Sequence, residues 1–189
     1  TFPAGARIGL TGASGAGKST LVDLLHRQFD PDHGRILLDG VDIRRLSLAE
    51  LRRRVVVVSQ ETILFNGDLA ENLRLAAPDA DDRRLESVLE QARLPLPLHA
   101  RVGERGRALS GGERQRLAIA RALLQDPLVI LCDEALAGVD AATEAEVIAA
   151  LDALFPHATR IIISHHERSL AGVDHLFDLA DGRLVERAR

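Results

Sequence analysis

Gly12, Gly17, Lys18 and Ser19 stand in the pattern G-x-x-x-x-G-K-S within "GASGAGKS". The chemistry of that spacing is phosphate binding. Glycines let the backbone curl so that several N–H groups converge on phosphate oxygens, and a helix opening there adds the positive end of its dipole. A lysine ammonium supplies a compact charge for the β- and γ-phosphates, and the Ser19 hydroxyl can ligate Mg²⁺. Gly12, Ala13, Ser14, Gly15, Ala16, Gly17, Lys18, Ser19 and Thr20 are thus the candidate nucleotide-binding residues. Lys18 is also the sole lysine among 24 basic residues. Arginine serves wherever either charge will do, whereas a planar guanidinium does not fit a tight phosphate nest as a slim ammonium does.

Two further stretches carry candidate chemistry. "LVILCDEA" is an apolar run ending in Asp133 and Glu134. A carboxylate at a strand's end can face the phosphate loop and hold Mg²⁺, and its neighbour can polarise a water for attack on the γ-phosphate. "LSGGERQRLAIARALL" offers an S-x-x-E capping box, Ser110 to Glu113, ahead of an amphipathic helix. Gly111 and Gly112 exceed what capping needs, because glycine is costly at helical positions. Their use would be to bring exposed N–H groups close to an anion. Adjacent His165 and His166 do not suggest a metal site, since neighbours on a strand point to opposite faces.

The elements that must position these residues alternate between short apolar runs and helix-period stretches, which predicts an α/β domain with a mainly parallel sheet. Buried strands are expected at 6–10, 55–59, 128–132 and 160–164, and hairpins at Asp39-Gly40 and Asp181-Gly182. Helices are expected at about 18–29, 47–53, 68–75, 81–92, 111–125 and 141–154. The stretch from about 66 to 125 reads as an inserted helical subdomain. "LPLPL" at 94–98 cannot be helix interior.

Bulk composition sets outer bounds. The 189 residues suffice for one domain with a subdomain, and a net charge of −4 excludes a strongly basic nucleic-acid binder. The single cysteine forms no internal disulfide, which favours a reducing compartment. No apolar run approaches the ~20 residues of a membrane-spanning helix. A start at Thr1 without any methionine suggests a piece of a longer protein.

With these motifs in place, the chain resembles the nucleotide-binding domain of ATP-binding cassette (ABC) proteins, exporter type, over essentially its whole length. "GASGAGKS" looks like the Walker A loop, "LVILCDE" like the Walker B strand and "LSGGE" like the signature motif. Gln60 matches the Q-loop, Asp140 the D-loop and His165 the switch histidine. The resemblance implies a P-loop NTPase core, an inserted helical subdomain and a partial antiparallel β subdomain. It implies ATP and Mg²⁺, with Glu134 as general base, Gln60 and His165 at the γ-phosphate, and Ser19, Gln60 and Asp133 at the metal. A second nucleotide-binding domain would pack head to tail, so that Ser110, Gly111, Gly112 and Glu113 meet the partner's ATP. A transmembrane domain, fused or separate, would place the chain at the cytoplasmic face of a membrane. "RVGERG" at 101–106 is similar to the exporter loop that touches that domain's helices.

This sequence also departs from the family pattern. "AGVD" replaces the usual residues before Asp140, and two N-terminal strands and the adenine-stacking aromatic are expected to be missing, with Phe2 too close to the first strand to substitute. The competing reading is a soluble ABC ATPase not engaged in transport. The repair type needs a long coiled coil between Gln60 and Leu109, and no sustained heptads occur there.

Overall fold

The computed structural model describes residues 1–59, 63–133, 141–164 and 169–187. The chain forms two compact units, one built from Thr1–Val57, Pro127–Glu134 and His157–Arg189, the other from Val58–Asp126 and Ala135–Pro156.

In the first unit, strand β1 (Arg7–Thr11) leads into helix α1 (Lys18–Leu25), then a small hairpin of β2 (Leu37–Leu38) and β3 (Val41–Asp42), helix α2 (Leu48–Arg54) and β4 (Val55–Ser59), whose last two residues fall in the second unit's segment. Strands β5 (Val129–Asp133), β6 (Thr159–Ile163), β7 (His175–Ala180) and β8 (Arg183–Glu186) complete a six-stranded sheet in the order β4-β5-β6-β1-β7-β8. β5, β6, β1 and β7 run parallel, and β8 returns antiparallel to β7. The apolar runs do not alternate because both sheet faces are covered: all five residues of β6 are buried, as are Ile130 and Leu131 on β5. Ile8, Leu10, Val22, Leu131, Ile161 and Ile163 form the centre of this core.

Both hairpins turn where the Asp-Gly pairs predict. Asp39 and Gly40 have φ of 48° and 79°, and Asp181 and Gly182 have 49° and 71°, the paired positive angles of a type I′ turn. Helix α1 departs from expectation by ending at Leu25 rather than near residue 29. Arg27 takes a left-handed φ of 51°, and the Gln28 N–H closes back on the Asp23 carbonyl at 2.8 Å, a Schellman-type stop. An arginine occupies the position glycine usually fills. Its guanidinium is held by the nearby Asp30 at 3.0 Å and by the Leu46 carbonyl at 3.1 Å, the latter a contact that only the fold supplies.

The second unit is helical: α3 (Leu69–Arg74), α4 (Asp82–Gln91), α5 (Gly111–Gln125) and α6 (Ala141–Leu154). Side chains cap the first three. Asp68 accepts from the Glu71 N–H at 2.8 Å, Asp81 from Arg84 at 2.8 Å and Ser110 from Glu113 at 3.3 Å. Leu69, Leu73, Leu85, Val88, Leu117 and Ile119 are buried on the inward faces of α3, α4 and α5. The proline stretch at 94–98 joins α4 to the next loop without helix, as expected.

Candidate nucleotide-binding site

The loop from Gly12 to Gly17 leaves the end of β1 and enters α1 at Lys18. Gly12, Gly15 and Gly17 hold φ of 150°, 79° and 100°, so the curl depends on glycine's conformational freedom. At Gly12 there is also no space: an added Cβ would stand 2.5 Å from the Leu179 carbonyl oxygen of β7. Below the loop, the Thr11 hydroxyl lies 3.1 Å from Asp178 Oδ1 and 3.2 Å from the Phe177 carbonyl, which braces the loop's root on β7. The Arg187 guanidinium and that hydroxyl hold the Asp178 carboxyl below the usual carboxylate range.

Gly17 sits at the N-cap without a side-chain hydrogen bond, so no side-chain acceptor shields the first-turn N–H groups of α1 at that position. The Lys18 ammonium turns back into the loop, donating to the carbonyls of Gly12 at 2.8 Å and Ala13 at 2.9 Å. Lys18 is buried, whereas Ala13, Ser14, Gly15, Ser19 and Thr20 are exposed. A positive charge anchored by backbone, beside an open helix N-terminus and exposed loop amides, fits a bound phosphate chain. The exposed Ser19 hydroxyl on the first turn is of the donor type Mg²⁺ takes.

The sheet register brings Asp133 to the same edge. Asp133 pairs with Ile163, and Ile163 with Leu10, one residue before Thr11. The backbone of Asp133 therefore ends β5 level with the root of the loop, on the carboxyl side of the parallel strands where such sheets bind ligands. Gln60, Glu134, Asp140 and His165 lie outside the described residues, although Gln60 follows β4 and Glu134 follows β5 directly in sequence.

In the second unit, Ser110 and Glu113 form a complete capping box on α5. Glu113 Oε2 accepts from the Ser110 N–H at 2.7 Å and from its hydroxyl at 2.8 Å, and these bonds hold the carboxyl below its usual range. Gly111 and Gly112 occupy the first two helical positions. Among the described residues, a Cβ at Gly112 would meet nothing within 4 Å beyond its own helix backbone, so their packing does not require glycine there. "RVGERG" is a folded loop, with Gly103 and Gly106 at φ of 75° and 76° and the Val102 N–H bonded to the Gly67 carbonyl at 2.9 Å.

Residues 1–137 match the family model described as ABC transporter. The chain belongs to the ABC transporter family. Over 96% of its length it is 48% identical to a beta-(1→2)glucan export ATP-binding/permease protein of Nitrobacter winogradskyi, of which it covers 31%. It is 42% identical to an ATP-dependent lipid A-core flippase of Neisseria meningitidis, covering 97% of this chain and 31% of the flippase. Among solved structures, a bacterial Atm1-family ABC exporter with ATP bound superposes with a TM-score of 0.85 at 39% identity, over 97% of this chain and 34% of that one. The chain thus spans about a third of the length of the relatives it matches, and its mixed α/β architecture with a mainly parallel sheet is that of an ABC ATP-binding domain.

Phe2 packs edge to face on Phe177 of β7, with ring centroids 5.2 Å apart, so its ring is engaged within the chain. Sequence reasoning missed the contact between the partly buried Arg121 and the buried Asn72. The available signal was one arginine inside the otherwise apolar run "LAIARALL". Among the described residues no helix is long and apolar enough to cross a membrane.

Proposed function

We propose that this ABC domain binds and hydrolyses ATP with Mg²⁺ and drives export through a transmembrane domain, fused or separate, at the cytoplasmic face of a membrane. The observation that carries the reading is the Lys18 ammonium held between the Gly12 and Ala13 carbonyls at the foot of a helix N-terminus without a side-chain cap. That arrangement suits a polyphosphate, because exposed loop amides, a helix dipole and an ammonium each attract phosphate oxygens. The relatives named above as exporters and flippases support the transport assignment.

In this reading Ser19, Gln60 and Asp133 hold Mg²⁺, which when bound neutralises charge on the β- and γ-phosphates. Glu134 accepts a proton from the attacking water, and Gln60 and His165 orient that water and the γ-phosphate. A second nucleotide-binding domain docks head to tail, bringing its Ser110, Gly111, Gly112 and Glu113 onto the ATP, with Asp140 at the shared seam. The uncrowded Gly112 supports that arrangement, since a glycine with no side chain of the described residues against it leaves room for a ligand from outside the chain.

The decisive experiment is Glu134→Gln in the full-length protein. ATP turnover should fall at least about a hundredfold while nucleotide stays bound and the dimer persists. Normal turnover in that variant would remove Glu134 from the role of base.

A further inference from the structure

Thr11 is the last residue of β1, and Gly12 directly after it opens the phosphate loop. In the parallel ladder, Ile8, Gly9 and Leu10 pair with His175, Leu176 and Phe177 of β7, and Thr11 pairs with Asp178. The final rung before the loop is therefore a hydroxyl beside a carboxylate. That hydroxyl has one proton to give, and two acceptors lie within reach: Asp178 Oδ1 at 3.1 Å and the Phe177 carbonyl at 3.2 Å. Asp178 Oδ2 accepts from the Arg187 guanidinium at 3.1 Å, and the Arg187 N–H donates to the Leu176 carbonyl at 2.8 Å. The Arg187 and Asp178 side chains are 54% and 30% exposed, so their ion pair adds little stability. Its effect is to occupy one carboxylate oxygen and leave the other to Thr11.

Two further contacts carry this rung into the binding loop. Gly12 lies so close to β7 that an added Cβ would stand 2.5 Å from the carbonyl oxygen of Leu179, the residue after Asp178. The Gly12 carbonyl in turn accepts from the Lys18 ammonium at 2.8 Å. A single peptide joins Thr11 to Gly12, so a shift of Thr11 away from Asp178 moves the carbonyl that seats the ammonium. Two apolar side chains at this rung would hold the strands together without fixing one along the other, because apolar attraction has no direction. A hydrogen bond does have one. Every residue in the path belongs to the first unit.

We propose that Thr11 and Asp178 are positioning residues for the nucleotide loop, holding Gly12 where its carbonyl seats the Lys18 ammonium, so that strand β7 helps set the affinity for ATP. The proposal rests on the ATP-binding reading above. Neither side chain is placed at a reacting atom in that reading. Loss of the brace therefore weakens ground-state and transition-state binding alike and spares turnover at saturating ATP.

Thr11→Val tests the brace, since it removes the hydroxyl with little change of shape. In the full-length protein its dissociation constant for ATP should rise about fivefold or more, while kcat at saturating ATP stays within about twofold. Thr11→Ser returns the hydroxyl and should recover most of the affinity. Asp178→Ala should weaken binding less than Thr11→Val, because the hydroxyl can turn to the Phe177 carbonyl. Joined to Thr11→Val, it should add no further loss. Wild-type affinity in Thr11→Val beside a weakened Lys18→Ala, no recovery in Thr11→Ser, or losses that multiply in the double variant overturn the brace alone. Wild-type affinity in Lys18→Ala overturns the assignment of the loop and the brace built on it. If Thr11→Val melts far below wild type, Asp178→Ala, at a partly exposed position, takes the same measurements, and unchanged affinity there overturns the proposal. Should neither variant fold, the pair is a stability device and the positioning role is wrong.

Discussion

The Lys18 ammonium lies 2.8 Å from the carbonyl oxygen of Gly12, six residues back along its own loop. A slim, three-donor head fits that recess and keeps a proton for an incoming phosphate oxygen, whereas a planar guanidinium is wider and aims its donors as a fork. Lys18→Arg should therefore weaken ATP binding at least about tenfold although the charge is preserved, and Lys18→Ala should weaken it further. Nucleotide titration checks both. Wild-type affinity in Lys18→Arg would show that charge alone, and not the fit to the Gly12 carbonyl, is what matters.

Gly12→Ala makes the same loop fail for a different reason. Its φ of 150° suits glycine, and the new methyl would press on the Leu179 carbonyl, a backbone atom that cannot swing aside. A destabilisation of about 1–3 kcal/mol is expected together with lost ATP binding. Gly15→Ala is the control: it has a positive φ of 79° but nothing within 4 Å of the added atom, so only the conformational cost of about 1 kcal/mol should register. Denaturant midpoints compared between the two variants separate crowding from backbone strain.

Where chemistry is local, the sequence predicts this structure closely. The glycine loop falls between β1 and α1, both Asp-Gly turns form, and α5 starts and stops at the expected residues because Ser110 and Glu113 close its capping box. The stop of α1 is not predicted, since a left-handed arginine is unfavourable until the Leu46 carbonyl is folded beside it. Arg121 is visible as a charge in an apolar run, but its partners are set by long-range packing, with Asn72 and Ile63 separated from it by 49 and 58 positions. The first-turn glycines of α5 are legible as a surplus over capping, and the structure sharpens this by leaving Gly112 uncrowded.

The Glu113 cap gives a pH dependence of defined sign. Bonds from the Ser110 N–H and hydroxyl hold the Glu113 carboxyl below its unfolded value, so the folded state binds its proton later than the unfolded chain. Its contribution is present above the ordinary glutamate range and fades as pH falls through the lowered value. Glu113→Gln keeps the capping geometry without the charge. Wild type should be more stable than this variant near neutral pH, and the gap should close in acid. Urea midpoints measured for both proteins from about pH 7 down to about pH 3 check the sign; a gap that widens in acid contradicts it.

Gly112 separates what the fold needs from what the function needs. It stands at the second position of a fifteen-residue helix, and beyond its chain neighbours and its own helix backbone no described residue lies within 4 Å of where its Cβ would be. Alanine there should favour the helix by about 0.5–1 kcal/mol, the ordinary cost of a helical glycine. If the open space receives a phosphate from a facing nucleotide-binding domain, the same methyl blocks that approach. Gly112→Ala should thus raise the thermal midpoint while lowering ATP turnover in the full-length protein, with ATP affinity at the Lys18 loop unchanged. Stability and activity moving in opposite directions is what a purely structural glycine cannot produce. A variant that gains stability and keeps full turnover would leave the first turn of α5 with capping as its whole role.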